Sequence, residues 1–252
     1  MNKTKVALVT GGSRGLGKDM ALAIAGKGLD VLLTYRSEQS AADDTVRQVE
    51  ALGRRAIALP LDLSVAGAAA DFAAKLQEAL SSWGVDRIDF LVNNAGMGGN
   101  HPFGTVTEAV FDEFLNVHYK GVFFLTQALL PHLAEGGGII NISTGTTRFV
   151  NPGYSVYASM KGAIEVFTRY LAKELGARGI RANVVAPGPI ETDFNGAAIR
   201  NNPQLKERLA SLTPLGRVGN ADDIGGVVAF LCTDDAKWVN GQRIEVSGGI
   251  NV

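Results

Sequence analysis

Tyr157 and Lys161 stand four residues apart within the amphipathic stretch Ser155–Ala177. If that stretch is a helix, both side chains share one face. A free tyrosine titrates near pH ~10 and is a poor base at neutral pH. An ammonium beside it favours the phenolate and lowers that value. Such a pair can take or give a proton near physiological pH. A lone Tyr-x-x-x-Lys is also what an ordinary helix surface presents, so its meaning depends on the rest of the chain.

A second group of residues supplies a place for a reaction. The apolar run Val6–Thr10 ends in Thr10-Gly11-Gly12-Ser13-Arg14-Gly15-Leu16-Gly17, and the amphipathic stretch Asp19–Lys27 follows. Glycines allow a tight turn and the close approach of a pyrophosphate, and the helix start adds free N–H groups and a positive dipole end. The spacing is G-x-x-x-G-x-G, not the G-x-G-x-x-G of the common dinucleotide fingerprint. Gly11, Ser13, Arg14, Gly15, Leu16 and Gly17 are the expected contacts. The next run, Asp30–Tyr35, ends Tyr35-Arg36-Ser37. An NAD-binding chain usually carries a carboxylate near that tip; here the first acid is Glu38. Arg36 and Arg14 could converge on a 2′-phosphate, which suits a guanidinium fork. NADP(H) is therefore expected beside Tyr35 and Arg36, with NAD(H) as the alternative.

Seven short apolar runs must position these groups: Val6–Thr10, Asp30–Tyr35, Ala56–Leu61, Ile88–Asn93, Gly138–Ser143, Arg181–Ala186 and Arg243–Val246. Between them lie amphipathic stretches such as Ala41–Leu52, Gly67–Ser81 and Phe111–Leu133. Strands alternating with helices imply right-handed crossovers and a parallel sheet. The runs are almost continuously apolar, as strands buried on both faces are. No linker or repeat interrupts the pattern. The expected fold is one doubly wound α/β domain over residues 1–252 with a seven-stranded parallel sheet. The irregular segment 190–213, with a short helical patch at Leu205–Leu209, is expected to cover the ligand edge.

The bulk composition excludes other classes. Of 252 residues, 46% are hydrophobic and the net charge is −1, so neither nucleic acid nor a polybasic membrane contact is indicated. No apolar run reaches the about 18 residues of a membrane span. The opening Met-Asn-Lys-Thr-Lys and the short run after it make no signal-peptide core. Cys232 is the one cysteine, which suits a reducing cytoplasm, and it reads as a buried helical residue. His101, His118 and His132 lack metal-ligand spacing; His118 and His132 read as helix-surface residues, and His101 as a possible lining of a substrate mouth.

Taken in order, these features resemble the short-chain dehydrogenase/reductase family, over essentially the whole chain. The loose subfamily likeness is to 3-oxoacyl-[acyl-carrier-protein] reductases, seen in Asn141-Ile-Ser-Thr144 and in Asn240 to Gly249. The resemblance implies a single-domain Rossmann-type fold and hydride transfer between nicotinamide and a carbonyl or alcohol carbon. It implies that Asp62, followed by Leu63, meets the adenine, and that Asn93, Ala95 and Gly96 line the cofactor. Pro187, Gly188, Ile190 and Thr192 would contact the nicotinamide. Lys161 would bind the cofactor ribose as well as tune Tyr157. Asn116 would interrupt its helix and hold a water linking Lys161 to solvent. The family places a hydroxyl 13 residues before the tyrosine, which falls on Thr144 in this sequence. Residues 143 and 144 point to opposite faces of a continuing strand, so one serves, and Thr144 is expected over Ser143. Phe149 and Tyr154 are expected to shape the pocket. A homotetramer, or a homodimer, through the last two long helices and the tail Trp238–Val252 is also implied. A nucleotide sensor without turnover, and a lyase or isomerase on the same scaffold, are the alternatives.

Overall fold

The computed structural model describes residues 4–251; Met1–Lys3 and the last residue of the tail, Val252, lie outside it. Seven strands form one sheet in the order β3-β2-β1-β4-β5-β6-β7. They are β1 (Val6–Val9), β2 (Asp30–Tyr35), β3 (Ala56–Pro60), β4 (Ile88–Asn93), β5 (Leu133–Ile142), β6 (Arg181–Pro187) and β7 (Arg243–Val246). Every pairing is parallel. The order reverses at β1, so the crevice between the ends of β1 and β4 is a topological switch point.

The apolar runs are continuous because each strand has two buried faces. Val6 and Leu8 join one core, with Leu32, Leu91 and Ile139. Ala7 and Val9 join the other, with Val31, Val92 and Ile140. Helices α3 (Ala68–Ser82), α5 (Gly121–Leu129) and α6 (Ser155–Glu174) cover the first face through residues such as Phe72, Leu125 and Ile164. Helices α1 (Gly15–Gly26), α2 (Gln39–Ala51) and α9 (Asp222–Leu231) cover the second through Ile24, Val49 and Val228.

Three departures from the periodicity matter for the site. Strand β5 begins at Leu133, earlier than its apolar core, with an irregular register between Ile88 and Phe90 of β4. The long stretch 111–133 is not one helix. α4 (Glu108–Leu115) gives way to a π-turn, Asn116–Lys120, before α5 resumes, and the Gly121 N–H reaches back to the Asn116 carbonyl. A side chain at Gly121 would collide with the Asn116 and Leu63 carbonyls, so glycine lets the turn lie against the β3–α3 loop. Segment 190–213 is more helical than its Gly/Pro/Asn content suggests: α7 (Phe194–Asn201) and α8 (Pro203–Ser211) occupy it. α8 starts where Asn202 caps the Leu205 N–H and Pro203 supplies the first-turn φ. α7 contains three left-handed residues, Asn195, Gly196 and Ala197.

Among the described residues no helix is long and apolar enough to cross a membrane. The glycine turn is tightly closed. A Cβ on Gly17 would run into the Gly11 carbonyl and the Asn94 amide. Gly17→Ala should therefore lower stability by about 2 kcal/mol; a denaturation midpoint equal to wild type would show that the turn can spread.

Candidate active site

The glycine turn is fixed from two neighbouring strands. The Gly11 N–H bonds the Thr34 hydroxyl at 3.0 Å and the Gly12 N–H bonds the Thr34 carbonyl at 2.8 Å. Just past β4, the Asn94 side-chain amide donates to the Thr10 and Gly11 carbonyls at 2.9 and 3.2 Å. The Thr10 hydroxyl accepts the N–H groups of Asn94 and Ala95 at 3.0 Å. Gly11 and Gly15 have φ of +65° and +55°, which an L side chain adopts at a cost. Ser13 is half-buried with its carbonyl turned to the Thr45 hydroxyl, and Leu16 packs on the core below.

Around this turn the sheet edge collects the other expected cofactor positions. Tyr35 is half-buried at the β2 tip, and Arg36 and Arg14 are exposed. Among the described residues neither guanidinium forms a salt bridge, although Arg36 lies close enough to Asp62 to act on it. Burial alone would raise the Asp62 carboxyl; the Ser64 hydroxyl and N–H and the Arg36 charge together hold it below its usual value. Leu63 turns its side chain into the core, leaving its backbone at the edge. Ala95 lies against Gly11, and Gly96 against the His118 ring. Beyond β6, the N–H of Gly188 is bonded to Val246, Ile190 packs on the core, and Thr192 is buried over Gly15. A cleft of about 300 Å³ runs between the start of α1 and this segment, lined by Gly15, Lys18, Thr192 and Asp193. This is a cradle of N–H groups with two exposed guanidinium groups and no acid at the β2 tip. It fits a dinucleotide carrying a 2′-phosphate.

The proton-transfer residues sit on one face of α6 beside the end of β5. Lys161 is buried and its Nζ donates to the Ile142 carbonyl at 2.7 Å. The same Nζ lies 5.9 Å from the centre of the Tyr157 ring. Burial lowers Lys161 from 10.5 to about 8. Burial also pushes the Tyr157 hydroxyl well up from its ordinary value, and a hydrogen bond from Thr144 opposes this. Tyr157 thus waits as the protonated phenol.

Ser143 and Thr144 have different partners. Ser143 is buried and its hydroxyl donates to the Glu165 carboxylate at 2.7 Å. The Thr144 hydroxyl is within reach of the Thr146 N–H and hydroxyl, both at 3.3 Å, and faces Tyr157. Asn116 opens the π-turn, where the regular i→i−4 bonding is broken, an arrangement common at functional sites. Tyr154 and Phe194 flank the Tyr157 ring at 6.4 and 6.2 Å between centroids. The Tyr154 hydroxyl accepts the Asn195 amide at 3.0 Å, tying α7 over the tyrosine. His101 borders this cluster, its ring edge-on to Phe114 at 5.5 Å.

Comparison with known proteins agrees with this geometry. Residues 11–251 match the family described as Enoyl-(Acyl carrier protein) reductase. Tetrahydroxynaphthalene reductase PfmaG of Pestalotiopsis fici is 37% identical over 256 residues, covering 97% of this chain and 91% of that protein. The 3-oxoacyl-[acyl-carrier-protein] reductase FabG of Staphylococcus aureus is 36% identical over 99% of both chains. The crystal structure of the angucycline C-6 ketoreductase LanV with bound NADP superposes with a TM-score of 0.93 at 36% identity, covering 98% of this chain and 95% of that one. The chain belongs to the short-chain dehydrogenase/reductase family. It is an oxidoreductase of the 3-oxoacyl-[acyl-carrier-protein] reductase-like kind.

One sequence expectation needs correction, that of His118, and one is narrowed to the backbone, since the side chain of Asn93 does not turn to the cofactor edge. It is buried in a polar ladder, donating to Thr126 at 3.1 Å and to Asn141 at 2.8 Å, with Asn141 donating to Thr168 at 2.8 Å. Buried amides take such partners because leaving them unpaired is costly. His118 is not on the helix surface. The π-turn rotates it inward, where it is 1% exposed, stacks on Phe114 and meets the Tyr157 ring edge-on at 5.1 Å. Burial and the Lys161 charge drive its pKa down to about 3, so it is neutral. His132 is half-exposed in the turn before β5, and Cys232 is buried as expected. Asn94 and Glu165 carry structural tasks that no local spacing marks, because their partners lie on other elements.

Lys161 offers a stability test. Its folded-state pKa lies below the unfolded one, so the unfolded chain binds more protons between pH about 8 and 10.5. The burden of burying its charge is full below about 8 and is relieved as pH rises through that window. Wild type should therefore gain stability relative to Lys161→Met across the window. A constant difference in unfolding midpoint would contradict a depressed Lys161.

Proposed function

We propose that this chain reduces a ketone to the alcohol with NADPH, and that Tyr157, Thr144, Lys161 and Asn116 carry the chemistry. The observation that supports this most directly is the opposed pair of hydroxyls. Thr144 faces Tyr157 while Ser143 is committed to Glu165. When bound, NADPH supplies the hydride that goes to the carbonyl carbon. Gly11, Ser13, Arg14, Gly15, Leu16 and Gly17 would hold its pyrophosphate side, Arg14, Tyr35 and Arg36 the 2′-phosphate end, and Asp62 and Leu63 the adenine. Ala95, Gly96, Pro187, Gly188, Ile190 and Thr192 would border the nicotinamide half, with Asn93 contributing backbone only.

The chain's own residues handle the oxygen. Thr144 donates a hydrogen bond to the substrate carbonyl and polarises it. Tyr157 passes its phenolic proton to the same oxygen as charge develops there. Lys161 keeps a positive charge beneath the resulting phenolate, binds the cofactor ribose, and is resupplied through Asn116. A phenol kept protonated by burial is suited to the reducing direction. The aromatic walls, Tyr154 and Phe194, favour an apolar or aromatic ketone, in line with the names of PfmaG and LanV.

The same reading extends to assembly and compartment. Exposed Phe124, Val166 and Tyr170 on α5 and α6, and Trp238 before β7, support a homotetramer. A reducing cytoplasm suits the single buried thiol.

NADPH oxidation should be followed against 3-oxoacyl thioesters and polycyclic aromatic ketones. Thr144→Val should lose about a hundredfold or more in kcat while Ser143→Ala keeps most of it; the reverse order would move the role to Ser143. NADPH should exceed NADH in kcat/KM, and Arg36→Ala should erase that preference. An NADH preference in the wild type would overturn the cofactor assignment. Scattering that shows a stable monomer would overturn the tetramer.

A further inference from the structure

The hydroxyl that faces Tyr157 sits just past the end of β5. The last ladder bond there is from the Ser143 N–H to the Val185 carbonyl at 2.8 Å, so the Thr144 carbonyl has left the sheet. It is caught by side chains instead. Nη2 of Arg243, on edge strand β7, donates to it at 3.1 Å, and the Thr147 hydroxyl lies 3.0 Å from it. Arg243 is itself held from two sides. Its Nε donates to Glu165 at 2.9 Å and its Nη1 to Glu245 at 2.8 Å. Glu165 is one turn beyond Lys161 on the same face of α6, and its Oε1 also accepts the Ser143 hydroxyl; the single Thr147 proton is shared between this carboxylate and the Thr144 carbonyl. Arg148 completes the group on Glu245 at 2.7 Å. The side chains of Arg243, Glu165 and Glu245 are 19%, 14% and 13% exposed, so water screens them little.

We propose that Arg243 is a positioning residue: clasped by Glu165 and Glu245, its guanidinium fixes the Thr144 carbonyl and so aims the Thr144 hydroxyl at Tyr157 and the substrate oxygen. The proposal rests on the reading of Thr144 as the polarising hydroxyl. A fork is needed here, since one edge of the guanidinium meets Glu165 while another donor reaches Thr144. A lysine can keep the charge opposite Glu165 but cannot span both. The network also explains why Ser143 is withdrawn: its hydroxyl donates to the Glu165 oxygen that Arg243 Nε also meets.

The test uses Arg243→Lys and Thr147→Val, with Thr144→Val as the control. Measured are kcat and KM for ketone reduction, NADPH affinity by fluorescence, the thermal midpoint, and the pH profile of alcohol oxidation. Arg243→Lys should lower kcat about tenfold, with NADPH affinity little changed. Alcohol oxidation needs the Tyr157 phenolate. With Thr144 no longer held to donate to it, the Tyr157 pKa rises, so the alkaline rise in rate should move to higher pH. Tyr154, Lys161 and His118, the other groups around Tyr157, are unchanged in these variants. A merely structural Arg243 would lower the thermal midpoint and leave that rise in place. Should Arg243→Lys fail to fold, Thr147→Val, which removes only a hydroxyl, carries the same expectation in smaller degree. Wild-type kcat and pH profile in the folded variants, with Thr144→Val inactive, would overturn the clamp and leave Thr144's role standing. An active Thr144→Val would overturn that role and the clamp together.

Discussion

The carboxyl ends of seven parallel strands all lie at one edge of the sheet, and that single constraint governs everything that reacts. Parallel neighbours cannot be joined by hairpins, so each strand returns through a helix on one face or the other. The returns bury both faces and leave the strand ends as the place where loops and helix starts converge. The turn after β1, the Asn94 brace after β4, Thr144 after β5 and the Gly188–Thr192 segment after β6 are neighbours for that reason alone. None is near the others in sequence.

Within this frame the electrostatics of the proton donor come from burial more than from pairing. Tyr157 and Lys161 share a helix face, yet the ammonium is spent on the Ile142 carbonyl and the tyrosine is surrounded by rings. Desolvation then disfavours charge on both, raising one and lowering the other. A neutral His118 on the same ring adds no charge of its own. The site is a poor place for a phenolate until a positive charge or a donor is brought in. The Thr144 hydroxyl is the donor already present, which is why the network behind its carbonyl matters to the chemistry.

The helix that carries Asn116 shows how a functional position can break a local rule. A straight helix through 111–133 would satisfy every backbone group and keep His118 outside. The π-turn gives up that regularity and brings His118 against Tyr157. Gly121 is what permits it, because any side chain there would meet two carbonyl oxygens.

The sequence by itself determined the seven strands, the glycine turn, the absence of an acid at the β2 tip and the i, i+4 face of Tyr157 and Lys161. These are written in local periodicity and in residue types whose backbone limits are intrinsic. Alternation at a strand end was legible too, as a reason for residues 143 and 144 to differ in task, although what holds the Ser143 hydroxyl lies in Glu165 on α6, beside Arg243 on β7. Only the tertiary structure decided that Asn93 belongs to a buried ladder, that His118 faces inward and that the Lys161 ammonium donates to the Ile142 carbonyl. Each of those outcomes depends on which elements the crossovers bring together. Desolvation and hydrogen-bond partners are properties of that packing, not of spacing along the chain.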